Sequence, residues 1–421
     1  MTTVAGFAGQ GKSYSEDNLV LNLDPSVNQS YNGAENIVPY SGPGYWGNTA
    51  YWSPINGWSP KLNWNNAPDG TLTTVQWSQG GQYQGPYSNF SYPVTPTTGL
   101  TYCQSIYVRN GYGNHGGIWV DPGNNRIMTV DGNTSTIRSV GTSIISQGVI
   151  PLQDNWYRMW STFAGSTGGL GYTLYTADGG GVQVDLWGLQ VERGVYPGPY
   201  TPTSGSAINR SNTWYDLTSN GNNASLNMPY FNEAGYFELD GNSSTAPGSI
   251  AHSSSINFSE SAAYSVELMA YAYSNQPGGS GGANSGEAAI LEKWSTTGGY
   301  PFCIRLSGLG GALSWYASVY NGTTQIYTTA SVTANTWAHI VAIFDWPNSI
   351  LRLYVNGAQA NTIALSGTGF GGTSPIYLGQ RNGGTTDRFA GKIGHIRMYN
   401  KALSAAEISQ NFNAVRGRFG I

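Results

Sequence analysis

Glu238 and Asp240, in Glu238-Leu-Asp240, are the chain's nearest approach to an acid–base pair. On an extended strand, side chains two apart share a face. A glycosidase draws a general acid and a nucleophile about 5–5.5 Å apart from such a pair. Gly241-Asn-Ser follows, however, and no third carboxylate joins them. No catalytic residue is therefore expected. The histidines His115, His252, His339 and His395 have no mutual spacing that suits zinc. His339 and His395 fall inside strand patterns, where a hydrogen-bonded structural imidazole is expected. There is no Gly-x-Ser-x-Gly, P-loop, Cys-x-x-Cys or Asp-x-Asp-x-Asp-Gly loop.

The aromatic residues offer a different chemistry. Trp46, Trp52, Trp58 and Trp64 recur every six residues, with Tyr45 and Tyr51 beside the first two. Even spacing on an extended segment keeps such rings on one face, and exposed Trp and Tyr give a sugar ring a rigid apolar platform beside a polar edge. Pro54, Gly57 and Pro60 interrupt the segment. Two readings stay open: packing in a core or interface, and a glycan or protein contact through Tyr45, Trp46, Trp58 and Trp64.

The elements that must position these residues read as strands. Leu19–Leu23 alternates. Ile350-Leu-Arg-Leu-Tyr-Val-Asn-Gly357 alternates and ends in Asn-Gly, a hairpin signal. Asn321-Gly322 and Asp131-Gly132 mark further turns. Many short strands between turn signals predict an all-β chain of β-sandwich domains. One helix is expected at the end. Ser404-Ala-Ala-Glu407 is a capping box, Leu403 and Ile408 form a hydrophobic staple, and Ile408, Phe412 and Val415 share a face. This helix should dock on the sandwich through Leu403, Ile408 and Phe412.

Larger motifs carry a family resemblance. Asn18-Leu-Val-Leu-Asn-Leu-Asp24, running through Gln29-Ser-Tyr-Asn-Gly33, is continued only at Asn212-Thr-Trp-Tyr-Asp-Leu-Thr-Ser-Asn-Gly-Asn. Joined, the pieces resemble the opening of a laminin-G-like, concanavalin A-type lectin domain of bacteriophage virion proteins. Trp337–Asp345, Pro375–Gly379 and Gly391–Asn400 resemble its central strands, and the 22 residues Tyr399–Gly420 its closing helix. Between the halves, Asn36-Ile-Val-Pro-Tyr-Ser41, Ala67-Pro-Asp-Gly-Thr71 and Tyr196-Pro-Gly-Pro-Tyr-Thr-Pro-Thr-Ser-Gly-Ser-Ala207 resemble a phage module akin to jelly-roll carbohydrate-binding modules. The resemblance implies an N-terminal arm over 1–16 and a discontinuous lectin-like sandwich over 17–34 plus 208–421. The jelly roll, 36–207, is inserted into that sandwich. Glycan-cleaving enzymes on the lectin-like fold commonly show Glu-x-Asp-x-x-Glu, which Glu238-Leu-Asp240 does not complete. Related sandwiches hold calcium through Asp and carbonyl groups, so Asp185 and Asp240 stand as calcium candidates. No other cofactor is implied.

Composition fits a rigid β-protein. Of 421 residues 59 are Gly, 14 Trp and 29 Tyr, and only 10% are charged, so disorder is excluded. A net charge of -4 without Lys/Arg clusters speaks against nucleic acid. Nothing is apolar and long enough to span a bilayer, and the first residues lack a basic n-region followed by an apolar stretch. Cys103 and Cys303 are expected as free buried thiols. The resemblance implies a non-enzymatic structural protein on the virion surface, a head decoration, fibre or tail-associated subunit released by lysis. Its partners would be other virion proteins, copies of itself in a trimer or lattice, and a host surface glycan. The alternative is a receptor-binding adhesin for host polysaccharide.

Overall fold

The computed structural model describes residues 14–421 apart from 28, 32, 34, 40, 43–51, 55–59, 79–85, 89–99, 113–117, 122–127, 132–135, 141, 166–172, 177–182, 205, 209–210, 228–229, 233, 242–246, 259–260, 277–285, 296–298, 310–311 and 382–386. Two compact units divide the chain. Unit 1 joins Met1–Asn32 to Ser211–Ile421, and unit 2 is Gly33–Arg210. The described elements are antiparallel strands, a 3-10 turn and one helix.

Unit 1 is a sandwich of two eight-stranded sheets. The first runs Tyr230–Asn232, Tyr236–Asp240, Ala390–Tyr399, Ala263–Ala272, Trp337–Asp345, Ile350–Val355 and Ala358–Ala364, with Leu19–Leu23 also paired to Ala390–Tyr399. The second runs Thr213–Trp214, Ala224–Leu226, Gly248–Ile250, Ile376–Leu378, Ala288–Glu292, Tyr300–Ser307, Ser314–Tyr320 and Gln325–Ser331. Strand alternation sorts the faces. Val266, Leu268 and Ala270 of one sheet and Ile304, Leu306, Trp315 and Ala317 of the other lie in a common core. The residues between them look outward. Asn356 and Gly357, both at positive φ, make the hairpin turn expected of Asn-Gly. Leu19–Leu23 is held to the resumed chain by Tyr215 N–H donating to Ser30 O and Leu217 N–H to Asn22 O.

The helix, α1 (Ala405–Phe419), covers part of the first sheet's outer face. Ser404 caps it with the reciprocal Glu407 bond, and Gly420 closes it in the left-handed conformation. Its buried stripe is Ile408, Asn411, Val415 and Phe419. Leu403 and Ile408 join Val341, Ile343, Tyr354 and Tyr399 in one apolar cluster, and Val415 and Phe419 join Met269 in another. Phe412 departs from expectation. It is only partly buried, beside the seam, with its ring against Gly357, where a Cβ would lie 2.8 Å from Phe412 Cδ1. The polar Asn411 takes the central position because a buried carboxylate lies beneath it.

Unit 2 has two six-stranded sheets. One runs Ile144–Pro151, Trp156–Ala164, Thr101–Tyr112, Gln183–Arg193, Val75–Ser78 and Pro60–Leu62. The other runs Trp52–Pro54, Pro86–Ser88, Thr173–Thr176, Ile118–Asp121, Met128–Asp131 and Thr136–Val140. Its two ends pair with each other, since Asn36 and Ile208 exchange both backbone bonds at 2.9 Å. The Asn36 amide also donates to Ser41 Oγ, Leu189 O and Thr201 O. Cys103 and Cys303 are free and buried.

Candidate functional site

The outer face of the second sheet in unit 1 is built around a buried guanidinium. Arg305 points outward from Tyr300–Ser307, and the neighbouring strand Ala288–Glu292 places Glu292 beside it, opposite Cys303. Arg305 Nε donates to Glu292 Oε2 at 2.9 Å and Nη1 to Glu287 Oε2 at 2.7 Å. Arg381 Nη2 donates to the same Glu287 oxygen at 3.3 Å, and Arg381 also pairs with Asp387 at 2.7 Å. Both guanidinium groups lie over the Trp294 ring, at 5.3 and 5.1 Å. Burial lifts the Glu292 carboxyl above its usual range, which Arg305 offsets only in part. Burial likewise pushes the Cys303 thiol well up, so it is not a nucleophile.

Aromatic rings frame this hub. Trp294 packs on Tyr300 at 4.7 Å, Tyr300 on Tyr320 at 5.8 Å, and Tyr316 stacks on Tyr327 at 5.0 Å. The inner rings, Tyr300 and Tyr316, are buried, whereas Tyr327 is 52% exposed and Trp294 and Tyr320 are partly exposed. At the sheet's end, Lys293 Nζ donates to Ser374 O at 2.7 Å and lies 3.2 Å from His252 Nδ1. Burial brings this ammonium down to about 8. The face thus offers flat apolar rings beside hydrogen-bonding groups held rigid by ion pairs. Its two hub carboxylates are both engaged with Arg305, which leaves no free acid–base pair at the hub.

Residues 244–409 match the family model Laminin_G_3, described as the concanavalin A-like lectin/glucanases superfamily. This region is a concanavalin A-like domain. Among solved structures, the binding domain of Paraclostridial mosquitocidal protein 1 is 21% identical, covering 48% of this chain and 50% of that one at a TM-score of 0.36. The binding domain of botulinum neurotoxin serotype G is 15% identical, covering 47% of each at 0.38. A botulinum neurotoxin type C structure, titled for cell entry through interaction with two ganglioside molecules, is 16% identical, covering 49% of each at 0.37. The chain spans about half the length of these structures. No curated protein matches it.

The residues singled out in the sequence are not among those that build this hub. Tyr45, Trp46, Trp58 and His115 fall outside the described residues. Trp52 begins a strand of unit 2. Trp64 is 48% exposed, with the Lys61 ammonium 4.4 Å from its ring centre. Asp185 is fully buried, and its oxygens accept from Arg109 at 2.7 Å, Asn65 at 2.8 Å and Gln76 at 3.2 Å. A guanidinium there supplies the positive charge a calcium ion would bring. Asp240 ends its strand in solvent, and Glu238 accepts the Tyr273 hydroxyl.

One cluster was not legible from spacing. Glu267, His339 and His395, all fully buried on the first sheet, form the one trio of metal-capable side chains among the described residues whose ligand atoms lie within 4.8 Å. Glu267 Oε1 receives His339 Nε2 at 3.1 Å, His395 Nε2 at 3.2 Å and Arg397 Nη1 at 2.9 Å. Its other oxygen receives Asn411 Nδ2 from α1 at 2.6 Å. Arg397 and the imidazole N–H groups pull Glu267 well below the usual carboxylate range despite its burial. Burial, aided by Arg397, holds His395 down at about 4. With Arg397 already beside the carboxylate, the trio does not fit a divalent ion. It bonds three strands to α1 instead. The strand patterns around His339 and His395 were its only trace in the sequence.

Proposed function

We propose that unit 1 is a non-enzymatic saccharide-binding module whose binding surface is the outer face of the second sheet. The observation that carries this reading is the frame of partly exposed Trp294, Tyr320 and Tyr327 around an ion-paired hub, on a domain of the concanavalin A-like lectin class. Rings of this kind stack on sugar faces, and few polar groups then set orientation. The carboxylates are held as counter-charges and have no partner acid to work with. Single contacts of this sort are weak, and display in many copies raises avidity by roughly 10²–10⁴.

The phage-like wording of both halves supports a place on a virion surface, as a decoration, fibre or tail-associated subunit contacting other virion proteins and copies of itself. The same wording supports reading 36–207 as an inserted carbohydrate-binding jelly roll, with Trp64 its exposed ring. Labelled antibody on purified particles tests the location. A glycan array probed with single chains and with particles tests binding, and reducing-end release from host polysaccharide tests catalysis. Particles that no antibody decorates would overturn the virion assignment. Steady release abolished by Glu238→Gln would overturn the non-enzymatic one.

A further inference from the structure

The first sheet carries a second aromatic enclosure, away from Arg305 and not part of the Glu267 hub. Glu238, Lys392 and Tyr271 lie side by side on three adjacent strands, and Trp337 is opposite Tyr271 on the fourth. Tyr236 and Tyr273 share that face by strand alternation. The Lys392 ammonium lies 4.6 Å from the ring centre of Tyr271, 4.9 Å from Tyr236 and 5.9 Å from Tyr273. Trp337 packs edge-on against Tyr236 at 5.4 Å and Tyr271 at 5.6 Å. The approach depends on Gly391, at φ 159°, where a Cβ would meet Tyr271 O at 2.1 Å. All these side chains are partly exposed. Glu238, the nearest carboxylate in register, directs one oxygen to Tyr273. Among the described residues no carboxylate forms an ion pair with Lys392.

We propose that this enclosure is a separate subsite for a carboxylate-bearing sugar. The sugar's acid group accepts from the Lys392 ammonium, which stands among the Tyr271, Tyr236 and Tyr273 rings. Its apolar face packs on Tyr271 and Trp337, and a ring hydroxyl donates to the second oxygen of Glu238. An ammonium fixed by cation–π contacts, with no ion-pair partner among the described residues, is matched in charge by an anion and not by a neutral sugar. The pairing weakens as salt rises.

The test titrates the whole chain with glucuronic acid, N-acetylneuraminic acid and glucose, following Trp fluorescence and heat of binding. Saturable binding of at least one acid is expected, at least tenfold tighter than glucose. Raising salt from 0.05 to 0.5 M should weaken it several-fold. Lys392→Gln should reduce it tenfold or more, as should Tyr271→Ala. Unchanged melting of Lys392→Gln verifies its fold, and Lys392→Arg, which keeps the charge, should retain part of the affinity. Equal binding of glucose, or acid binding untouched by Lys392→Gln, overturns the proposal. An acid signal lost in Tyr327→Ala but kept in Lys392→Gln overturns it in favour of the second sheet's face alone.

Discussion

The two outer faces of unit 1 pose the same problem and solve it oppositely. On the first sheet an anion, Glu267, is surrounded by donors from His339, His395, Arg397 and Asn411. On the second a cation, Arg305, is surrounded by Glu292 and Glu287. Each buried charge is neutralised inside its sheet, as a desolvated ion must be. They differ in what lies above. The Glu267 hub is roofed by α1, whose Asn411 completes its bonding and whose apolar neighbours exclude water. The Arg305 hub is framed by tyrosines and a tryptophan that keep part of their surface in solvent. A covered hub holds an element down; a framed hub holds rings up. The comparison makes the first face architectural over α1 and, on the proposed reading, leaves the second face open to a ligand.

The sharpest way to break the comparison is to remove the anion. Glu267→Ala leaves Arg397 buried without its main partner and removes the anchor of Asn411. Deleting one member of a buried pair costs about 3–5 kcal/mol, so denaturant unfolding should show a loss of that order. A loss below about 1 kcal/mol would mean that the hub contributes little to holding α1.

Acid should separate the hubs by sign. His395 is held at about 4 against an ordinary 6.5, so between these values the unfolded chain binds the extra proton and stability falls as pH falls. At 1.36 kcal/mol per unit, that is about 3 kcal/mol lost between pH 6.5 and 4. Glu267, also depressed, adds to the loss below about 4.5. Glu292 is raised, so the folded state holds its proton more tightly and acidification favours folding there. Melting curves of the chain and of His395→Gln from pH 8 to 4 check this. The variant should lose most of the slope between 6.5 and 4. An unchanged slope would put the acid response elsewhere.

The roof itself gives a graded test. Phe419 is buried against Trp337, with ring centres 4.5 Å apart, and Phe419→Ala should cost about 3 kcal/mol. Phe412 lies at the flank, and Phe412→Ala should cost about 1 kcal/mol. The reverse order in urea unfolding would move the seam of α1 back to the stripe read from the sequence.

That reversal shows where sequence reading stopped. Local signals were legible: the Leu19–Leu23 and Ile350–Val355 strands, the Asn356-Gly357 turn and the Ser404/Glu407 capping box all depend on neighbours within a few residues. Phe412 looked like the docking residue because periodicity ranks a phenylalanine above an asparagine. Only the register of strands distant in sequence puts Glu267 under Asn411. The Arg305 site has the same history, with Glu287, Glu292, Arg305 and Arg381 reaching one point through pairing across several strands. The tryptophan repeat drew attention because it is regular in sequence. The rings that frame the hub come from three strands and a turn, and nothing in their spacing announces them.

The smallest effect on stability should be the most telling for function. Tyr327 is 52% exposed and stacks on Tyr316, so Tyr327→Ala should lose about 0.5 kcal/mol, the low end of an aromatic pair's worth. If the second face receives saccharide, the same change removes a stacking platform and should weaken binding about tenfold, or 1.4 kcal/mol. Glu267→Ala should do the opposite, costing stability while leaving the affinity of the folded fraction intact. Array binding measured beside unfolding curves for both variants decides the matter. A Tyr327→Ala protein that keeps its affinity would strip the second face of its receptive role, because an exposed ring that neither stabilises the fold nor contacts ligand has no physical reason to stand there.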